Sequence, residues 1–266
     1  MLAGRGRESP LTVGGTIPGQ PAVWLFDFDN TLAALEPEVD WTASRHELEA
    51  YLRSEGIGDA IFVEFPRGNL LLYEALRSRL QDGTHATPGF IASEHLRVTS
   101  DHLHFIPKEH LLQRASEIVE SYELRGVGRA APLPGAHELL RALADGHTSI
   151  VVVTSNSSRT VARWLELHRV DRLVRAIVGR DSMLALKPAP ASIEHALALC
   201  SATPADAIFV GDSEADLIAA RRAHVGFYGV AISEEVRRKL EVGGASIVFA
   251  SPAALAEYLD LPKSGR

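Results

Sequence analysis

Short apolar runs recur along the chain at 22–28, 149–154, 176–179, 207–211, 227–232 and 246–250. Such runs, bounded by turn formers, read as buried strands. Between them apolar residues recur at helical spacing. Ala136–Ala144 carries Leu139, Leu140 and Leu143, and Ser158–His168 carries Val161, Trp164, Leu165 and Leu167. Ser192–Leu199 and Glu214–Ala223 follow the same pattern. Strand and helix in alternation predict an α/β fold, a parallel sheet covered by helices on both faces.

One interval breaks the alternation. Residues 34–130 hold helical patterns at Ala43–Ser54, Leu70–Leu80, Phe90–Leu96 and Lys108–Leu124. This order predicts a helical domain, 34–130, inserted into a sheet domain formed by 21–33 and 131–266. The chain would leave near Ala34–Glu38 and return through the Gly- and Pro-rich stretch Gly126–Gly135. Residues 1–20 are rich in Gly, Pro and Thr without an apolar core, and read as a mobile tail rather than a secretory signal.

Composition narrows the setting. The 266 residues are 46% hydrophobic and 23% charged with a formal net charge of −7, which gives no reason to expect a nucleic-acid or membrane partner. No apolar run reaches membrane-spanning length. The single cysteine, Cys200, excludes an intrachain disulfide and reads as a small buried residue, so a cytoplasmic location is expected.

Four polar segments end apolar runs. Asp27-Phe28-Asp29-Asn30-Thr31-Leu32 follows Ala22–Phe26; residues two apart on a strand share a side, so Asp27 and Asp29 can face one point. A turn built from Asp, Asn and Thr is the plainer reading, but it leaves two acids behind an apolar run unexplained. Thr154-Ser155-Asn156-Ser157 closes the second run, either as a helix cap or as a phosphate-binding start of a helix. Lys187-Pro188-Ala189-Pro190 sets a lysine in a loop, solvated or facing an anion. Gly211-Asp212-Ser213-Glu214-Ala215-Asp216 again runs a strand into acids, whose hard oxygens suit Mg²⁺. All four fall at one predicted sheet edge, where open α/β sheets bind ligands. Together they describe phosphoryl transfer by a carboxylate, with a lysine, a metal and N–H donors neutralising the phosphoryl oxygens.

As an ordered set these segments, with Pro134–Leu140, resemble the haloacid dehalogenase-like (HAD) hydrolase superfamily. Within it they are similar to the phosphoglycolate phosphatase and β-phosphoglucomutase branch, with a C1-type helical cap at 34–130. The resemblance implies a Rossmann-like core and a Mg²⁺-dependent phosphatase acting on a small phosphorylated metabolite. Asp27 would be the nucleophile and Asp29 the acid/base. Thr154, Ser155 and Lys187 would hold the phosphoryl group. Asp27, the Asp29 backbone carbonyl and Asp212 would bind the metal, supported by Asp216. Ser155 stands where many relatives have Asn, a contact that backbone N–H can make. True dehalogenases lack an acid at the Asp29 position. A phosphomutase shares every motif, a phosphonatase would need Lys108 as its cap lysine, and a catalytically silent binding protein has no use for adjacent acids. Specificity should lie in the cap, where Arg67 is a candidate reader of substrate and Trp41 a candidate for the pocket mouth. His85, His95, His102, His104 and His110 read as a solvated surface rather than a metal site. Either a monomer or a homodimer is compatible with the sequence.

Overall fold

The computed structural model describes residues 21–81 and 107–261. The predicted tail, the helical pattern at Phe90–Leu96, and His85, His95, His102 and His104 lie outside them. In chain order the elements are β1 (Val23–Phe26), β2 (Ala33–Ala34), α1 (Trp41–Ser54), α2 (Ala60–Glu64), α3 (Asn69–Gln81), α4 (Lys108–Gly126) and β3 (Ala131–Pro132). Then come α5 (Ala136–Asp145), β4 (Ser149–Val153), α6 (Ser158–Leu167), β5 (Ala176–Val178), α7 (Ala191–Leu199) and β6 (Ala207–Gly211). The chain continues with α8 (Glu214–Arg222), β7 (Gly226–Val230), α9 (Glu234–Val242), β8 (Val248–Phe249) and α10 (Pro252–Tyr258).

Six strands form a parallel sheet in the order β5-β4-β1-β6-β7-β8. β1 is central because all four of its residues are apolar and can be buried on both faces. Its side chains alternate. Trp24 and Phe26 pack with Ile150, Val152, Ile208 and Val210 against α5 and α6. Val23 and Leu25 pack with Val151, Val153 and Phe209 against Ile193 and Leu197 of α7 and Ala219 and Ala220 of α8. Four helices of this domain, α6, α8, α9 and α10, start on serine caps: Ser157, Ser213, Ser233 and Ser251 each accept from the backbone N–H three residues on.

Helices α1 to α4 bury a separate apolar cluster that includes Leu48, Leu52, Ile61, Leu72, Tyr73, Leu112 and Val119. Leu186, from the loop that precedes Lys187, packs into that cluster. The two chain crossings pair as antiparallel strands, Ala33 with Pro132 and Ala34 with Ala131. Leu133 N–H adds a 2.9 Å bond to the Leu32 carbonyl. The predicted linkers are thus tied to one another.

Three sequence expectations change. The run at 22–28 leaves the sheet after Phe26, because the Phe28 carbonyl accepts from the N–H groups of Thr31, Leu32 and Ala33 and curls the chain into a tight turn. Asp27 and Asp29 therefore stand on a loop, while Phe28 turns into the core against Trp164. The run at 246–250 contracts to Val248–Phe249. Helices α2, α9 and α10 were not anticipated. In α9 only Leu240 is buried, so its sequence Glu-Glu-Val-Arg-Arg-Lys-Leu-Glu-Val shows little apolar face.

Candidate active site

The loops after β1, β4, β5 and β6 meet at the carboxyl edge of the sheet. Asp27 stays attached to β6 through its N–H, 2.8 Å from the Val210 carbonyl. In the turn that follows, Asn30 adopts a left-handed φ of 55°, which asparagine tolerates. The turn aims Asp29 back at the chain, and its Oδ1 accepts from the Leu35 and Glu36 N–H groups at 2.9 and 3.0 Å. The Asp29 carbonyl accepts no hydrogen bond among the described residues.

Lys187 is buried, not solvated. Its Nζ lies 2.7 Å from Asp27 Oδ1, 2.6 Å from Asp216 Oδ1 and 3.2 Å from the Val153 carbonyl. Asp216 is fixed in the first turn of α8, where its Oδ2 accepts from the Ser213 N–H at 3.0 Å and hydroxyl at 2.7 Å, a reciprocal capping box. Gly211 makes room for it: a Cβ there would stand 2.6 Å from Asp216 Oδ2. The Thr31 hydroxyl lies 3.5 Å from Asp212 Oδ1.

Thr154 is buried, and its N–H remains on the sheet, 3.0 Å from the Val178 carbonyl. Its hydroxyl donates to Asn156 Oδ1 at 3.1 Å and accepts from the Asn156 N–H at 3.2 Å. The Ser155 N–H has no partner among the described residues, which leaves a backbone donor beside Thr154. Arg67 is exposed on the turn between α2 and α3. Trp41 packs between the two cores, its indole N–H donating to the Glu36 carbonyl at 3.0 Å. A cavity of about 910 Å³ lined by Leu112, Ser116, Arg159, Asp181 and Met183 includes none of the motif residues.

Electrostatics set the charge states. Burial raises Asp27, and Asp216 adds to it, against the pull of Lys187. Burial, then Asp27 and Asp216, raise Asp212 further. Burial lifts Asp29 to about 7 in spite of its two backbone donors. Burial disfavours the charge on Lys187, but Asp216 and Asp27 outweigh it and hold the ammonium charged well past the ordinary lysine range. One lysine thus faces three acids whose oxygens lie within 4.8 Å of one another. Buried carboxylates left short of positive charge are costly, and a hard divalent cation is the natural complement. The donor set fits Mg²⁺. Asp27 and Asp212 keep oxygens available, while both oxygens of Asp216 are engaged by Ser213 and Lys187.

Sequence reasoning missed Glu123 and Arg180, a buried pair beneath the Thr154 loop. The available signal was a glutamate on the buried stripe of α4 that runs through Ala115, Ile118 and Val119.

Known proteins resemble this chain over part of its length. A phosphoglycolate phosphatase of Pseudomonas putida is 29% identical over 146 residues, 55% of this chain and 52% of that protein. The pyrophosphatase PpaX of Listeria monocytogenes is 27% identical over 132 residues, 50% of this chain and 56% of that protein. The chain therefore spans about half the length of the curated relatives it matches. The crystal structure of a hydrolase from Pseudomonas syringae superposes with a TM-score of 0.57 at 24% identity, covering 90% of this chain and 97% of that one, a likeness of fold. The sequence profile of the haloacid dehalogenase-like hydrolases matches residues 92–230, just over half of the chain, and the chain belongs to that family.

Proposed function

We infer that the chain is a Mg²⁺-dependent phosphomonoester hydrolase acting on a small phosphorylated metabolite, with residues 34–130 as its cap. The observation that carries this reading is the juxtaposition of Asp27, Lys187 and Asp212 at the sheet edge with Asp29 two residues away. A bound Mg²⁺, held by Asp27, Asp212 and the Asp29 carbonyl, would neutralise charge on the phosphoryl oxygens.

The chain's own groups account for the rest. A carboxylate oxygen of Asp27 attacks phosphorus, forming an aspartyl-phosphate as the bond to the leaving oxygen breaks. Asp29 protonates that oxygen, then takes a proton from the water that hydrolyses the acyl phosphate. A pKa of about 7 suits a group that must give and accept a proton near neutrality. Lys187 keeps Asp27 ionised, and the Ser155 N–H, in the turn that the Thr154 hydroxyl ties to Asn156, receives a phosphoryl oxygen. The phosphoglycolate phosphatase relative supports a small acidic phosphomonoester as substrate.

Phosphate release from a panel of phosphorylated metabolites, with and without Mg²⁺, tests this. Asp27→Asn should abolish release, since an amide is a poor nucleophile, while Mg²⁺-dependent release persists in the unaltered protein. Appreciable turnover by Asp27→Asn would falsify the mechanism. Isomerised sugar phosphate without free phosphate would assign a mutase instead.

A further inference from the structure

A charged pair without access to water joins the inserted helices to the loop that carries Thr154. Glu123 of α4 and Arg180, which follows β5, are both fully buried, with Arg180 Nη1 2.8 Å from Glu123 Oε1. Desolvating two ions costs several kcal/mol each, so such a pair persists only when its remaining groups are bonded. Here they are. Glu123 Oε1 also accepts from Asn156 Nδ2 at 3.1 Å. Its Oε2 accepts from the Ser157 N–H and the Thr160 hydroxyl, both at 3.1 Å. Arg180 donates to the Ser155 carbonyl at 2.9 Å and to the Ser116 hydroxyl and carbonyl at 3.0 and 3.2 Å. Its backbone N–H reaches the Asn156 carbonyl at 2.8 Å.

A well-packed apolar pair would often serve stability as well or better. What it could not do is orient this loop. Because Asn156 gives its amide N–H to Glu123, its amide oxygen must face the Thr154 hydroxyl. The peptide between Ser155 and Asn156 is held at both ends, its carbonyl by Arg180 and its N–H by Thr154. Gly179 permits the approach, since a Cβ there would stand 2.5 Å from the Ser158 nitrogen and 2.8 Å from the Asn156 carbonyl oxygen.

We propose that Glu123, contributed by the insert, is a positioning residue that acts with Arg180 to fix the Thr154–Asn156 turn and so set the Ser155 N–H for the phosphoryl group. The proposal rests on the phosphatase reading, and it makes the insert part of the site's scaffold as well as its cover.

The test compares the unaltered protein with Glu123→Gln and with the apolar double substitution Glu123→Leu/Arg180→Met. Three quantities are read: Mg²⁺ affinity, orthovanadate affinity in the presence of Mg²⁺, and hydrogen exchange of the 154–157 amides. In both variants Mg²⁺ affinity should change by less than about threefold, since Asp27 and Asp212 are untouched. Orthovanadate should bind about tenfold or more weakly, with kcat lowered more than KM is raised, because displaced oxyanion donors cost about that much or more. The loop amides should exchange faster. A folded double variant with unaltered vanadate affinity and exchange overturns the proposal, leaving the pair a stability element. If the double variant does not fold, Glu123→Gln decides by the same readouts. If the unaltered protein neither hydrolyses monoesters nor binds vanadate, the phosphatase reading fails, and the exchange comparison alone decides whether the pair orders the loop.

Discussion

Lys187 holds two carboxylates at once, Asp27 at 2.7 Å and Asp216 at 2.6 Å, inside a site that water barely reaches. Removing one partner of a buried charge cluster costs about 3–5 kcal/mol, because the other charges lose their counter-ion. Lys187→Met should therefore destabilise the metal-free protein by about that amount at pH 8. At pH 5 the loss should shrink, since the freed acids can take up protons. Urea denaturation at the two pH values checks this. Asp27, Asp29 and Asp212 were legible because each interrupts an apolar run. The burial of Lys187 was not, because it depends on Asp216, 29 positions away in sequence. Glu123 was legible only as a glutamate on the apolar stripe of α4; its role was not, because that depends on Arg180, 57 positions away in sequence.

At the scale of elements, strand ends matter more than strand interiors. The six strands were legible from their apolar runs, and their carboxyl ends carry the site. Helix α8 shows how a local device serves a distant one. Its capping box satisfies two backbone N–H groups and at the same time fixes the Asp216 side chain that meets Lys187. Ser213→Ala removes the hydroxyl cap, worth about 1 kcal/mol, and leaves Asp216 Oδ2 held by the Ser213 N–H alone. Both a lower denaturation midpoint and a lower kcat are expected, and stability and turnover measured on one preparation check them together. Loss of stability alone would reduce Ser213 to an ordinary cap. The helices that sequence did not reveal, α2, α9 and α10, are short or nearly all polar on the surface, and their existence rests on what they pack against.

At the scale of the molecule, the acid cluster links stability to pH and to metal. Asp29 titrates near 7 when folded against an ordinary value of 3.8, and Asp27 and Asp212 are also raised. Between those values the folded state holds protons that the unfolded state has released. The stability of the metal-free protein should therefore fall as pH rises from about 4 to about 9, where Asp212 is the last to lose its proton. A cation competes with the same protons, so its affinity should rise over that range. Mg²⁺ should raise the melting temperature more at pH 8 than at pH 5, which thermal melts with Mg²⁺ or EDTA would show. Equal shifts at both values would mean that the ion does not bind these carboxylates. The place of β1 in the sheet bears on how the protein is made. Val23 pairs with Ser149 on one side and Ala207 on the other, both synthesised long after it. At ribosomal speed the first of those partners follows on the order of ten seconds later. Until then Val-Trp-Leu-Phe, apolar on both faces, emerges with nothing to lie against, a stretch prone to association with other nascent chains. Asp27, the proposed nucleophile, is made at the end of that segment, so the earliest-made part of the site is among the last to be enclosed and depends on whatever shelters a growing chain.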